Sequence, residues 1–312
     1  MSEMNQRTIL SEREKFSFAE FRASDAEATG YSAYSYWKSV FSNFLKKKSA
    51  VFMLVVFVLL FIFTFVAAWI SKYDVYNLRT DMNRIFLSPS KEFWFGTDNL
   101  GRDYWSQVWH ATRTSIILAT VVSAGEILLG VIIGLVWGYV RSLDRFFTEL
   151  YNLIDNVPTI IYMTLIALMI GKTYLIMAVT MILFGWLQPA RNVRNLVFMY
   201  RDREYNLASR CLGTSLWRVL FKNILPYLVS VIVLRFALAI PGTIAYETTL
   251  AYLGLMDIST PSLGILLRNA RSYFLDYPYL LIFPAIIVSL ITVTFYLAGN
   301  AFSDACDPRN HV

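Results

Sequence analysis

Residues 201–226 read RDREYNLASRCLGTSLWRVLFKNILP, a charged, helix-forming island between two strongly apolar segments. Seven basic residues fall between Arg191 and Lys222, and in a membrane protein such a loop faces the cytoplasm. Asp202 is placed to act as N-cap of a helix running through Leu212, because its carboxylate suits the free N–H groups and the dipole of a helix start. Gly213 is the natural terminator. Thr214 then caps a second helix that ends before Pro226. The pattern therefore predicts two short helices with a bend, lying outside the bilayer.

Composition supports a membrane setting for the whole chain. Of 312 residues, 56% are hydrophobic and only 16% charged, too apolar for an ordinary soluble domain. The net charge of +6 does not point to nucleic acid, because Lys and Arg gather beside apolar runs. Cys211 and Cys306 both fall on segments assigned to the cytoplasm, where thiols stay reduced, so no disulfide is expected.

Working outward, residues 1–49 form a polar arm that turns into an interfacial helix, with Trp37, Phe41, Phe44 and Leu45 at helical spacing beside Lys46, Lys47 and Lys48. Residues 50–70 carry no charge and reach about 31 Å at ~1.5 Å per residue, enough to cross the hydrocarbon core. The apolar run starts too late and is too long for a cleavable signal peptide. Further spans are expected over 114–140, 146–170, 174–197, 227–255 and 279–301. Exterior segments occupy 71–113 and 256–278, the cytoplasmic loop 198–226, and a cytoplasmic tail 302–312. With Arg191 and Arg194 at the inner end of the fourth span, inner segments then hold 18 Lys and Arg and outer ones nine, which sets both termini inside. Gly130, Gly134 and Gly138 share one face of the second span, where another helix can approach closely.

Four ionisable residues fall within spans: Glu126, Asp155, Arg235 and Glu247. Each costs roughly 2.5–3.5 kcal/mol at mid-helix, so each should face the bundle or a wet cavity. They are the candidate pathway residues, with structural pairing between spans an equal alternative. Arg235 and Glu247 lie about 18 Å apart along one helix and cannot pair with each other.

Reactive chemistry is sparse. Gly171-Lys172-Thr173 imitates the end of a P-loop, but Ile166 stands where the loop needs its glycine. His110 and His311 have no carboxylate or cysteine at metal or triad spacing. The chain is expected to be neither an enzyme nor a metal protein.

Several dispersed motifs add a resemblance. Arg203-Glu204-Tyr205, Leu207-Ala208-Ser209, Gly213 and Ile224-Leu225-Pro226 resemble the EAA motif of ABC importer permeases in the form used by the oligopeptide and dipeptide branch. Leu207 stands in place of the motif's Glu and Ser209 in place of its second Ala, while Glu204 lies roughly one turn earlier. Phe95-Gly96-Thr97-Asp98, Gly101-Arg102-Asp103 and Ser106 look like the branch's signature before the second span. Tyr252-Leu253-Gly254-Leu255, Thr260-Pro261-Ser262, Phe283-Pro284 and Asp307-Pro308-Arg309 are similar to its outer loop, last span and tail. The wording is most similar to Ami-type oligopeptide permeases of Gram-positive bacteria.

The resemblance implies an all-α, six-span type I ABC importer (MetI-like) permease fold in the bacterial plasma membrane, with a cytoplasmic coupling helix. It further implies a homologous second permease, two ABC ATPase subunits that carry ATP and Mg, and an extracellular substrate-binding lipoprotein delivering peptide. The contact with the ATPase would fall on Glu204, Tyr205, Leu207, Ala208, Ser209, Arg210, Gly213, Ile224 and Pro226. Glu247 matches a Glu of the family's fifth span, which makes it the best pathway candidate of the four. Dipeptides or nickel are the alternative cargoes, and an ion-coupled secondary transporter the alternative class.

Overall fold

The computed structural model describes residues 44–46, 48–70 and 82–306. The readings for the polar arm, most of the interfacial helix, residues 71–81 and residues 307–312 of the tail lie outside the described residues. Everything else is helical apart from turns and one antiparallel bridge, Thr97 to Asp103.

Helix α1, Lys48–Ile70, is apolar on all sides, as a helix surrounded by lipid and other helices should be. Phe52, Leu59, Ile62 and Trp69 remain exposed on it, a burden that water would not tolerate over so large a patch. Helix α2, Tyr104–Tyr139, begins ten residues ahead of the apolar run at Thr114. Its start is set by Asp103, whose carboxylate accepts from the Ser106 N–H at 2.8 Å and also from the Ser106 hydroxyl. Just upstream, the buried Asp98 accepts from Arg102 N at 2.8 Å, Arg102 Nε at 2.8 Å and Gln107 Nε2 at 2.9 Å. Phe95 stacks on Phe283 at 3.9 Å, and the Tyr279 hydroxyl donates to Thr97 O. The residues of the outer signature thus fold into a cap that joins α2 to the last helix.

A single extended residue, Val140, separates α2 from α3, Arg141–Asp155. Helix α4, Thr159–Met169, follows after a bend of 72°. The expected span over 146–170 is therefore broken. Pro158 holds an extended backbone and has no N–H to continue a helix. Helix α3 carries Arg141, Asp144, Arg145, Glu149 and Asp155, and only α4 is wholly apolar, about 16 Å long against a core of ~30 Å.

Helices α5, Tyr174–Gly185, and α6, Leu187–Tyr200, continue one another through Trp186. After α7, Glu204–Cys211, comes α8, Leu216–Tyr252, a 37-residue helix with Pro241 inside it. A short α9, Leu263–Ala270, is capped by Ser262, and α10, Tyr279–Cys306, ends the described chain. Four units are long and apolar enough to cross a membrane, namely α2, α5 with α6, α8 and α10, and the bent pair α3–α4 makes a fifth. Helix α2 is central, packing on α1, α5, α6 and α8. One buried cluster lies toward its N-terminal half, with Val108, Ile116, Ile244 and Ile291. Another lies toward its C-terminal end, with Leu135, Val197, Leu220 and Leu228.

Candidate functional site

The opening stretch begins where α6 ends. Arg203, not Asp202, is the N-cap of α7, and its side chain makes no capping bond. Asp202 has been drawn elsewhere by charge: it meets Arg201 Nε at 3.1 Å, Arg141 Nη2 at 3.4 Å and Arg210 Nη1 at 4.0 Å. Slight desolvation raises its carboxyl pKa, but the Arg201 hydrogen bond and the charges of Arg201, Arg141 and Arg210 outweigh it and hold the group below its ordinary value.

Helix α7 ends in a Schellman motif. Thr214 N donates to Ser209 O at 3.1 Å and Gly213 N to Arg210 O at 3.0 Å, with Gly213 at φ +75°. A Cβ at Gly213 would meet nothing within 4 Å, so only the backbone sign demands glycine there. The second helix departs from expectation. Ser215 rather than Thr214 is its N-cap, and it does not stop before Pro226. Residues Val219–Ile224 are π-helical, with Leu225 N donating to Leu220 O. That wider turn directly precedes Pro226, whose ring and missing N–H would disrupt α-geometry. The second helix and the following span are consequently one helix, α8.

What ties α7 to that helix is polar. Asn206 is fully buried; its Nδ2 donates to Tyr200 O at 2.8 Å, and its Oδ1 accepts from Asn223 Nδ2 at 3.1 Å. Asn223 Nδ2 also reaches Ser209 Oγ at 3.2 Å. Ser209, read from sequence as a docking residue, therefore faces its own chain, and Ile224 is buried too. Tyr205, Leu207, Ala208 and Leu212 are exposed, as are Glu204, Arg210 and Pro226. The side of α7 turned away from Asn206 and Ser209 thus carries Leu207, Ala208 and Cys211 together with Glu204, and Leu212, just past the helix, is 86% exposed. Asn206 and Asn223 were missed by the sequence reading. The available signal was Asn206 and Ser209 three positions apart, on one helix face, with a lone Asn in an otherwise apolar and basic segment.

The end of α6, from which this stretch leaves, is anchored by arginines. Arg194 pairs with Asp144 at 2.5 Å, Trp137 Nε1 donates to the same carboxylate at 3.0 Å, and Arg194 lies 4.3 Å over the Phe198 ring. Arg201 donates to Gly138 O at 2.9 Å. The glycine face of α2 packs on α6: a Cβ at Gly130 would come within 2.5 Å of Pro189 Cβ, at Gly134 within 2.5 Å of Ala190 O, and at Gly138 within 2.7 Å of Val197 Cβ.

Three of the four span charges line cavities. Glu126 and Asp155 share one of about 350 Å³ with Gln188, Gly242 and Tyr246. Asp155 accepts from Tyr151 OH at 2.8 Å and Gln188 Nε2 at 3.3 Å. Glu126 lies against Gly185, where a Cβ would meet its Oε1 at 2.0 Å. Arg235 lines a second cavity of about 220 Å³, and Gln188 and Ala239 belong to the walls of both. Glu247 is placed differently: it is fully buried and lines neither. Its carboxylate lies among the hydroxyls of Ser115, Tyr174 and Ser262, without a hydrogen bond of full geometry. Lys172 of the P-loop look-alike donates to Gly254 O at 2.8 Å, holding the end of α8. Among the described residues no three His, Cys, Asp or Glu side chains converge as metal ligands.

Residues 126–312 match the model of the binding-protein-dependent transport system inner membrane component. The chain belongs to that family. This permease also matches, over residues 35–89, the N-terminal TM domain of oligopeptide transport permease C. It is 36% identical over 303 residues to the oligopeptide transport system permease protein AmiD of Streptococcus pneumoniae, covering 96% of this chain and 98% of that one. It is 31% identical to the oligopeptide transport system permease protein OppC of Bacillus subtilis, covering 94% and 96%. The dipeptide transport system permease protein DppC of Lactococcus lactis is 33% identical, covering 74% of this chain and 68% of its own length. The permease is an all-helical, multi-pass membrane protein of the MetI-like class. Its α7 occupies the position of the EAA-like stretch, between the bundle and the helix that re-enters it.

Proposed function

We propose that this permease is one of two homologous membrane subunits of an ATP-driven oligopeptide importer, and that α7 is the coupling helix onto which an ATPase subunit docks. The carrying observation is α7 itself: a short helix with Leu207, Ala208 and Cys211 exposed on the side away from Asn206 and Ser209, clasped by Asn206 and Asn223 to the start of a 37-residue helix. A push on that face is delivered directly into α8. The peptide cargo is supported by the names of the relatives AmiD and OppC. Six spans follow if α1 and the bent pair α3–α4 each cross the bilayer, with both termini cytoplasmic. ATP and Mg are bound by two partner ATPases, and an extracellular lipoprotein hands over the peptide.

Reconstitution tests this. The chain alone in liposomes is expected to hydrolyse no ATP, whereas the assembly with a second permease and ATPases imports peptide with ATP. Leu207→Asp places a desolvated charge at the docking face and is expected to reduce co-purification of the ATPase while leaving the permease inserted. Uptake driven by an ion gradient without ATPases, or hydrolysis by the chain alone, refutes the proposal.

A further inference from the structure

The two cavities touching α8 carry opposite charge. In the larger, the only ionisable side chains with formal charge are acids, Glu126 and Asp155; in the smaller, the only one is Arg235. Asp155 is held by Tyr151 and Gln188. Glu126 has no hydrogen bond or ion pair among the described residues, and neither does Arg235. The Tyr246 hydroxyl beside Glu126 is buried and unpartnered as well. Ionisable groups left unpaired in a membrane span are costly and are kept where a ligand or partner completes them; Arg235 and Asp155 are exposed at the mouths of their cavities. Bare backbone at Gly185 makes room for the Glu126 carboxylate, and Gly242 lines the same cavity.

The spacing fits one kind of ligand. Arg235 and Tyr246, which mark the two poles, are 11 positions apart on α8, about 16 Å along the axis. An extended peptide covers at most ~3.3–3.6 Å per residue, so its two termini match that separation at about four or five residues, or fewer with the Arg and Glu side chains reaching inward. Gln188, in both walls, offers an amide to the backbone between them.

We infer that the paired cavities form a cargo site for short zwitterionic peptides, in which Glu126, assisted by Asp155 and the Tyr246 hydroxyl, takes the terminal ammonium and Arg235 takes the terminal carboxylate. This rests on the proposed importer function and assigns its cargo a direction along α8. An unpaired guanidinium meeting a carboxylate supplies both charge and directional donors.

The test uses the complete reconstituted importer with its binding protein unchanged, measuring the KM for uptake of tetraalanine and of its C-terminal amide. Arg235→Gln is expected to raise KM for tetraalanine about tenfold, the loss of one charged hydrogen bond, to change KM for the amide less than twofold, and to be rescued by Arg235→Lys. Glu126→Gln is expected to raise KM for both peptides about tenfold. Unchanged tetraalanine uptake in either variant overturns the inference, as does equal slowing of both peptides by Arg235→Gln, which would assign Arg235 to a partner subunit. If the importer rejects the amide altogether, Arg235→Lys being as impaired as Arg235→Gln overturns it. A wild-type assembly that imports no peptide defeats the importer function itself, not merely this site.

Discussion

Asn223→Ala removes one Nδ2 that serves two acceptors, Asn206 Oδ1 at 3.1 Å and Ser209 Oγ at 3.2 Å. Each such bond contributes about 0.5–1.5 kcal/mol net, and Asn206, fully buried, is left with an unsatisfied oxygen that adds to the cost. About 2 kcal/mol of clasp stability is therefore lost. The loss falls on the contact between α7 and α8, so local opening of the 201–212 segment should rise roughly 30-fold. Arg201, Arg203 and Arg210 make the segment a tryptic target, and under conditions where opening and reclosing outpace cleavage the cleavage rate reads that equilibrium. Uptake in the reconstituted assembly should fall while the helical content of the bundle is unchanged. Asn206→Ala should act similarly, and the double variant should be less impaired than the sum, with a coupling of about 1 kcal/mol or more. Cleavage of Asn223→Ala within twofold of wild type, or strict additivity in the cycle, would refute a clasp between these two side chains.

Gly134→Ala places a methyl 2.5 Å from the Ala190 carbonyl oxygen, which cannot move without separating α2 from α6, so a loss of roughly 1–3 kcal/mol is expected as a lower Tm in detergent. Gly213→Ala meets open space and carries only the backbone cost of about 1–2 kcal/mol, expected to appear in cleavage of the loop but not in the Tm of the bundle. Arg194→Lys keeps the charge near Asp144 but loses the forked contact and the stacking on Phe198; a lower Tm than wild type, without loss of insertion, is expected. For Asp202, the folded pKa is depressed, so its contribution is present above the unfolded value of about 3.9 and is lost as pH falls through the lower folded value. Carboxyl titration should place its midpoint below 3.9, and Arg201→Gln should move it upward.

The bundle was legible in the sequence wherever the physics is local. Runs without charge, such as residues 50–70, need only their own composition to specify an apolar helix. Gly213 at a helix end and the four-residue glycine spacing of α2 carry their meaning in backbone geometry alone. The broken third span was half legible: Pro158 was visible, but a proline inside a span can kink, break or merely decorate it. Pro241 and Pro284 lie inside unbroken helices, and neighbouring packing decides among these outcomes.

Other features depend on partners far along the chain. The composition of α7 was sufficient to foretell a short helix between the apolar segments, and the family signature to foretell its place. Which of its faces is free was not, because Ser209 turns inward to meet Asn223, 14 positions away. Asp202 left the helix cap because three arginines, one of them 61 positions distant, offer more to a carboxylate than backbone N–H groups do. Among the four span charges the resemblance favoured Glu247 as the pathway residue, yet it is the one that lines neither cavity. Apolar length, charge bias and glycine periodicity are properties of a segment and so are written in the sequence; the sealing of Glu247 among hydroxyls, and the opening of Glu126, Asp155 and Arg235 onto cavities, exist only once several helices have packed and decided where solvent space remains.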